Sequence, residues 1–230
     1  MLQQTQVIRV IGKFSEFIER YPTVRDLAQA SAADVLRLWK GMGYNRRALY
    51  LKGAAEAIVR QYQGKFPKDE VIFAKLPGLG TYTARAILVF AFRQNIAMVD
   101  TNIRQIITHF FFRGKPQKEK VIQEIADQLL PKGKSWEWHQ ALMDYGALRL
   151  ARARSGQAPK SKKSPFRDSS RFYRGRIVDR LRDGETTKQL LMEEFRAKYQ
   201  KDAVFVNRII EGLHKDGLLH LSDETISLPH

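Results

Sequence analysis

The chain has 230 residues, 43% of them hydrophobic, enough to fill the core of one large domain or two modest ones. With 40 Lys and Arg against 24 Asp and Glu the formal net charge is +16, which points to a polyanionic partner and leaves a ribosome-associated or merely soluble basic protein as the alternative. Cysteine is absent, which excludes disulfides, thiolate nucleophiles, Cys-ligated zinc and iron–sulfur clusters; with no apolar run of membrane length and no basic-then-apolar leader, a cytoplasmic, nucleoid-associated location is expected.

From Thr5 to Lys160 apolar residues recur at helical spacing, for example Val7, Ile8, Val10, Ile11, Phe14 and Phe17, then Val35, Leu36, Leu38 and Trp39. Strand-like alternation is missing there, so an all-α domain is expected over residues 1–154. Tyr21-Pro22-Thr23 reads as a helix stop followed by an N-cap, and Ser31 before Ala32-Ala33-Asp34 as the next cap. Gly41-Met42-Gly43-Tyr44-Asn45 breaks the pattern, and Arg46 to Tyr62 resumes it.

In Leu76-Pro77-Gly78-Leu79-Gly80-Thr81-Tyr82-Thr83 two glycines allow positive φ and close backbone approach just before an apolar helical run, with Thr81 or its neighbour expected to cap that helix. Amides at such a helix start, on a protein of this charge, form a phosphate site that needs no side-chain specificity. A loop that only joins packed helices is the plainer alternative. Residues 155–164, SGQAPKSKKS, are polar and basic and read as a linker. Beyond them, Ser170 to Arg182, Thr186 to Tyr199 and Val204 to Lys215 have helical patterns, and GLLHLSDETISLP alternates like a hairpin turning near Ser222 to Glu224. Residues 165–230 are therefore expected to form a small winged-helix-like α+β unit, with a plain three-helix bundle and a β-tail as the alternative.

Motifs in register over Met1 to about Arg154 resemble a known family. LPGLGTYTARAI resembles the hairpin and helix of the helix-hairpin-helix DNA glycosylases, and AMVDTNIRQII falls where that family keeps a catalytic aspartate. MLQQTQV, LWKGMGYNRRAL, GKFP and MDYGA resemble the adenine DNA glycosylases, MutY type. The resemblance implies a helix-hairpin-helix glycosylase fold, a monomer acting on double-stranded DNA with a mispaired or damaged base, and hydrolysis of that base's N-glycosidic bond in base excision repair. A non-catalytic DNA-binding protein and a thymine or uracil mismatch glycosylase are the alternatives.

Breaking an N-glycosidic bond builds positive charge on the sugar and negative charge on the leaving base, so a carboxylate near the sugar is wanted. The resemblance gives that role to Asp100, placed as a helix N-cap where it stays ionised, with Asn102 supporting it. Tyr82 stands where lyase-competent relatives carry a lysine; a phenol forms no Schiff base, so base removal without β-elimination is expected. Tyr44 matches the residue that wedges into the duplex, and Gln3, Gln4 and Thr5 match a polar segment contacting the target region and opposite strand. Arg46, Gly78, Leu79, Gly80, Thr81 and Thr83 complete the implied DNA-contacting set. Asp144 in MDYGA reads first as structural, capping a helix or pairing with an arginine.

The sequence departs from the family in three places. The family's general acid is a glutamate two residues before the Met of MLQQT, which here is residue 1, so the true start is expected upstream, with loss of efficient chemistry and retained DNA binding as the alternative, and the 230 residues as written are expected to make a poor enzyme. The four cysteines that ligate the family's iron–sulfur cluster are absent, so no such cofactor is expected; Arg149, Arg152, Arg154, Lys160, Lys162 and Lys163 are candidates for its electrostatic role, with a solvated basic linker as the alternative. Residues 165–230 are too short and too helical for the family's oxidised-guanine recognition domain.

Overall fold

The computed structural model describes residues 1–150, 166–223 and 225–230, without the side chains at 149 and 150. In chain order its helices are α1 (Val7–Arg20), α2 (Val24–Gln29), α3 (Ala32–Leu38), α4 (Arg46–Tyr62), α5 (Glu70–Ala74), α6 (Thr81–Phe90), α7 (Thr101–Phe112), α8 (Glu119–Leu129) and α9 (Ser135–Tyr145). A π turn at Gly146–Leu150 extends α9. Then come α10 (Ser170–Arg182), strand β1 (Thr186–Thr187), α11 (Lys188–Tyr199), α12 (Ala203–Lys215) and the strands β2 (His220–Leu221) and β3 (Thr225–Ser227). Among the described residues no helix is long and apolar enough to cross a membrane.

The composition shift at 155–164 separates 1–154 from 165–230 in the sequence, whereas contacts group residues 163–230 with 1–66 in one compact unit and leave 67–162 as the other. The linker reading itself, and the cationic side chains at Arg149, Arg152, Arg154, Lys160, Lys162 and Lys163, lie outside the described residues.

Local chemistry sets the helix starts in the first unit. Thr23 Oγ1 accepts from the Asp26 N–H (3.2 Å) while Asp26 accepts from the Thr23 N–H (2.9 Å), a reciprocal cap that opens α2 where the sequence places it. Ser31 likewise accepts from the Asp34 N–H at 3.0 Å and opens α3. At the C-terminal end α11 begins at Lys188 rather than Thr186, because Thr187 is the cap (Leu190 N–H to Thr187 Oγ1, 3.1 Å) and the buried Thr186 belongs to β1. Asp202 caps α12, which begins at Ala203, one residue before the expected start. β1 joins the hairpin to make an antiparallel sheet in the order β1-β3-β2, with Thr186 and Leu221 on either side of Ile226.

One hydrophobic cluster runs through this unit. Phe17, Val35, Leu36 and Trp39 from the first residues pack with Tyr173, Ile177, Leu181, Ile210, Leu213 and Ile226 from the last. Each fully buried aliphatic side chain contributes about 1.5–3 kcal/mol, so the C-terminal residues complete a core that α1 to α3 begin. Helix α1 buries Val10 and Phe17 and leaves Ile8, Ile11, Phe14 and Ile18 exposed. In the second unit, α5 and α6 form a helical hairpin, and Ala97, Ile103, Ile107, Ile122 and Ala126 cluster beneath α7 and α8.

Arg182 crosses the first unit's core. Its Nε donates to the Leu36 carbonyl and Nη2 to Asn45 Oδ1, both at 2.9 Å, with Asp179 as its charge partner. Truncation leaves the buried Leu36 carbonyl without its donor, while the half-buried Asp179 keeps its pair with Arg176 at 2.8 Å. Arg182→Ala is therefore expected to lower stability in urea unfolding by about 1–3 kcal/mol, against about 1 kcal/mol or less for Arg180→Ala, which loses a partly exposed pair with Glu194 and a long bond to the Gly184 carbonyl.

Candidate functional site

The residues singled out in the sequence fall into two groups, one in each compact unit. In the first unit the chain enters α4 through a turn held in left-handed conformations, with φ of +87° at Gly41, +69° at Gly43 and +47° at Tyr44. Tyr44 is 41% exposed, as its Gly-bounded position suggests. A residue absent from the sequence-based set, Arg47, organises this region. It donates to the carbonyls of Met1 (2.9 Å), Met42 (3.0 Å) and Gly43 (3.2 Å), to Thr5 Oγ1 (2.6 Å), and to the Gln3 carbonyl. Its guanidinium lies 5.6 Å from the Tyr44 ring centre. Arg47 thereby ties Gln3 and Thr5 to the turn that presents Tyr44, and Thr5 Oγ1 adds a bond to the Met42 carbonyl at 3.2 Å. Gln4 is exposed with φ +57°. Arg46 pairs with Asp216 at 3.2 Å.

In the second unit the α5–α6 hairpin turns through Gly78 (φ +73°), and Leu79 N–H returns to the Leu76 carbonyl at 3.1 Å. The cap of α6 is Gly80, in extended conformation and without a side-chain bond. Of the two expected caps, Thr81 or its neighbour, it is the neighbour Gly80 that holds the position, and Thr81 is the first residue of the helix. Gly80 supplies no acceptor, so the opening N–H groups of α6 receive no cap from it, a feature suited to an anion.

Asp100 opens α7. Its Oδ1 accepts from the Ile103 N–H at 2.7 Å and its Oδ2 from Asn102 Nδ2 at 3.1 Å, so capping and a fixed carboxylate orientation are one arrangement. Asn95 to Met98, just before it, are tied down by side chains from α6, α8 and α9 and by a backbone N–H in the turn before α9. Asn95 Oδ1 accepts from Gly133 N–H (2.9 Å), and the Ile96 carbonyl from Ser135 Oγ (3.1 Å). The Ala97 carbonyl takes Arg85 Nη1 (3.0 Å) and Gln123 Nε2 (3.1 Å), and Met98 N–H donates to His139 Nε2 (2.9 Å). Arg85 is anchored in turn by Glu70 at 2.7 Å across the hairpin.

Gly146 explains the MDYGA motif. A Cβ there would sit 2.6 Å from the Asn102 Cβ, so only glycine lets the end of α9 approach the residue that holds Asp100. Asp144, by contrast, is exposed, and its carboxylate has no hydrogen-bond or ion-pair partner among the described residues, so the expected pairing with an arginine is not seen there. Partial burial and, next, the Asp100 charge raise the Tyr82 phenol above its ordinary range, which keeps it a proton-bearing donor at neutral pH.

His139, also absent from the sequence-based set, is fully buried: its Nδ1 faces the Ser135 carbonyl at 2.6 Å while Nε2 accepts from Met98. Burial lowers its pKa, opposed by those two backbone bonds and by Asp100. A neutral imidazole with Nδ1 protonated satisfies both contacts at once. Its sequence signal was only a histidine at an apolar helical position; those of Arg47 and Gly146 were an arginine in a helix's first turn and a glycine inside a helical pattern.

A helical hairpin with a Gly-Leu-Gly turn, followed by a helix capped by a backed carboxylate, defines a helix-hairpin-helix protein. Residues 1–132 match the model of the HhH-GPD superfamily of base excision DNA repair proteins, and the chain belongs to that family. It is 33% identical to an adenine DNA glycosylase of Mycobacterium tuberculosis (strain ATCC 25618 / H37Rv) over 95% of this chain and 79% of the relative. It is 35% identical to the adenine DNA glycosylase of Homo sapiens over 64% of this chain and 28% of that relative. Among solved structures it is similar to a thermostable thymine-DNA glycosylase (TM-score 0.62, 29% identity, 69% of this chain and 73% of that one). An endonuclease III in a non-covalent DNA complex shares the fold at TM-score 0.60 and 19% identity, over 78% of this chain and 81% of that one.

The unfolded chain binds a proton at His139 near pH 6.5, and the folded chain only at lower pH. The stability that neutral His139 contributes is thus complete above pH 6.5 and is lost as pH falls below it toward the lowered folded value. His139→Gln, whose amide oxygen can take the Met98 N–H but does not titrate, is expected to flatten the acid-side decline in urea-unfolding stability between pH 7.5 and 5; an unchanged slope contradicts the assignment.

Proposed function

We propose that the chain is a monofunctional DNA N-glycosylase that hydrolyses the bond between sugar and mispaired adenine in double-stranded DNA, acting as a monomer in base excision repair. The observation that carries this reading is the Asp100 carboxylate, held by Ile103 and Asn102 at the head of α7 in a chain of the HhH-GPD family. Adenine is favoured over thymine because an adenine glycosylase is 33% identical to this chain over 95% of its length. The Gln3-Gln4-Thr5 segment points the same way.

In this reading Tyr44 enters the duplex in place of the extruded nucleotide, with Gln3, Gln4 and Thr5 beside it at the bases. The Gly78-Leu79-Gly80-Thr81 turn and Thr83 bind backbone phosphate through main-chain amides and hydroxyls, and Arg46 adds a cation. As the glycosidic bond lengthens, positive charge grows on the sugar; Asp100 stabilises it, and Asn102 keeps the carboxylate oriented. Water then adds at the anomeric carbon, giving free base and an abasic sugar. Tyr82 donates a hydrogen bond to the flipped nucleotide or its phosphate. Its phenol has no amine, so it forms no Schiff base with the abasic sugar, and the strand stays uncut.

The residues present do not fit an iron–sulfur cluster: the 230 residues contain no cysteine, and among the described residues no group of three or more metal-binding side chains is brought together. No step of this reading uses one. We read residues 1–154 as the glycosylase domain, and residues 165–230 as a winged-helix-like unit on the strength of the order α10-β1-α11-α12-β2-β3 and the β1-β3-β2 sheet.

Asp100→Asn keeps a capping acceptor but removes the charge. It is expected to reduce single-turnover adenine release by a factor of about 100 or more, the scale of losing one electrostatic stabiliser. Affinity for the mismatched duplex should be unchanged or higher, since a negative group near phosphate is gone. Equal turnover by the variant contradicts the assignment. Tyr44→Ala is expected to weaken mismatch binding and slow base extrusion in stopped-flow fluorescence.

A further inference from the structure

The last two residues before α4 are engaged from α10, and the first residue of α4 shares a carboxylate with α10 through Asp216. Arg171 donates to the Tyr44 hydroxyl, and its guanidinium lies 4.8 Å from the Tyr44 ring centre and 4.9 Å from that of Phe166. Arg182 donates to Asn45 at 2.9 Å. Arg174 and Arg46 share the Asp216 carboxylate, at 2.5 and 3.2 Å. Positions 171, 174 and 182 fall on one face of α10.

Two further observations say what these contacts are for. Residues 166–230 carry 12 Lys and Arg against 11 Asp and Glu, so they add almost nothing to the chain's charge of +16; as a separate electrostatic DNA-binding module they are poorly equipped. Tyr44 is a non-glycine residue at φ +47°, a left-handed conformation that side chains rarely adopt and that persists only where its surroundings over-determine it. Arg171, with Arg47 at 5.6 Å from the same ring, supplies that determination.

We propose that α10 is an intramolecular brace for this turn and that Arg171 is a positioning residue for Tyr44. The inference rests on the reading of Tyr44 as the residue that enters the duplex. Arg171 fixes the phenol's direction before DNA arrives, so the ring meets the duplex without first being ordered. The C-terminal segment thus acts on base extrusion through Tyr44 and not through contacts of its own with DNA.

Two measurements on the full chain test it. In the free protein, Arg171→Ala is expected to raise amide hydrogen exchange in the peptide covering residues 40–47 by about fivefold, the scale of one cation–π contact and one charge-assisted hydrogen bond, with the α4 interior over residues 54–62 unchanged. This readout needs no DNA, so it stands whether or not the glycosylase reading does. On duplex with 2-aminopurine at the target position, Arg171→Ala is expected to slow extrusion by about tenfold. The salt dependence of duplex binding should stay unchanged, Tyr44→Phe should cause part of the same loss, and the double variant should lose no more than Arg171→Ala alone. Arg171→Lys, which keeps the charge but not the planar stack, should recover only part of the rate. Unchanged exchange at 40–47 overturns the brace. A salt slope smaller by about 1 overturns the positioning role, because it makes Arg171 a direct phosphate contact.

Discussion

The site depends on how a short, non-helical stretch, Asn95 to Val99, is held before it delivers Asp100 to α7. Backbone groups in such a stretch have no ladder or helix to satisfy them, so side chains must do it. Arg85, Gln123, Ser135 and His139, from α6, α8 and α9, each bond to residues Ile96 to Met98. Removing a partner from a buried bond of this kind costs about 1–3 kcal/mol, so the stretch has one strongly preferred path. The direction of the Asp100 carboxylate follows from that path, from the Ile103 amide it caps, and from Asn102, which Gly146 leaves room for.

The first unit solves a different problem with the same means. A turn that presents an aromatic ring outward cannot rely on burial for its shape. Guanidinium groups hold it instead: Arg47 from within α4, Arg171 and Arg182 from α10. Five rigid donors on each make arginine suited to gripping several carbonyls at once, which lysine does not do. The C-terminal residues contribute both to this grip and to the core around Trp39 and Leu36, so in this chain they belong structurally with the first helices.

What was legible in the sequence was local. Caps at Thr23 and Ser31, and the spans Arg46–Tyr62 and Ser170–Arg182, follow from residues within one or two turns of each other. The motifs around Asp100 and Tyr44 carried the family. Strand β1 was not legible because two residues are too few to alternate, and its Thr186 reads equally well as a helix start. Periodicity in α1 marked Ile8, Ile11 and Phe14 as helical but could not say that this face is exposed. Arg47, His139 and Arg171 escaped because the partners that give them their roles are distant in sequence: Thr5 lies 42 positions from Arg47, Met98 41 from His139 and Tyr44 127 from Arg171.

The central claim, hydrolytic release of adenine without strand cleavage, is tested most directly by single-turnover reactions on duplexes holding adenine opposite 8-oxoguanine, adenine opposite guanine, and thymine opposite guanine. Products are resolved with and without alkali, for this chain and for a form extended upstream of Met1. The account predicts that the extended form releases adenine and not thymine, and that the strand breaks only after alkali. Duplex binding without release of any base by either form, preferential release of thymine, or strand cutting without alkali contradicts it.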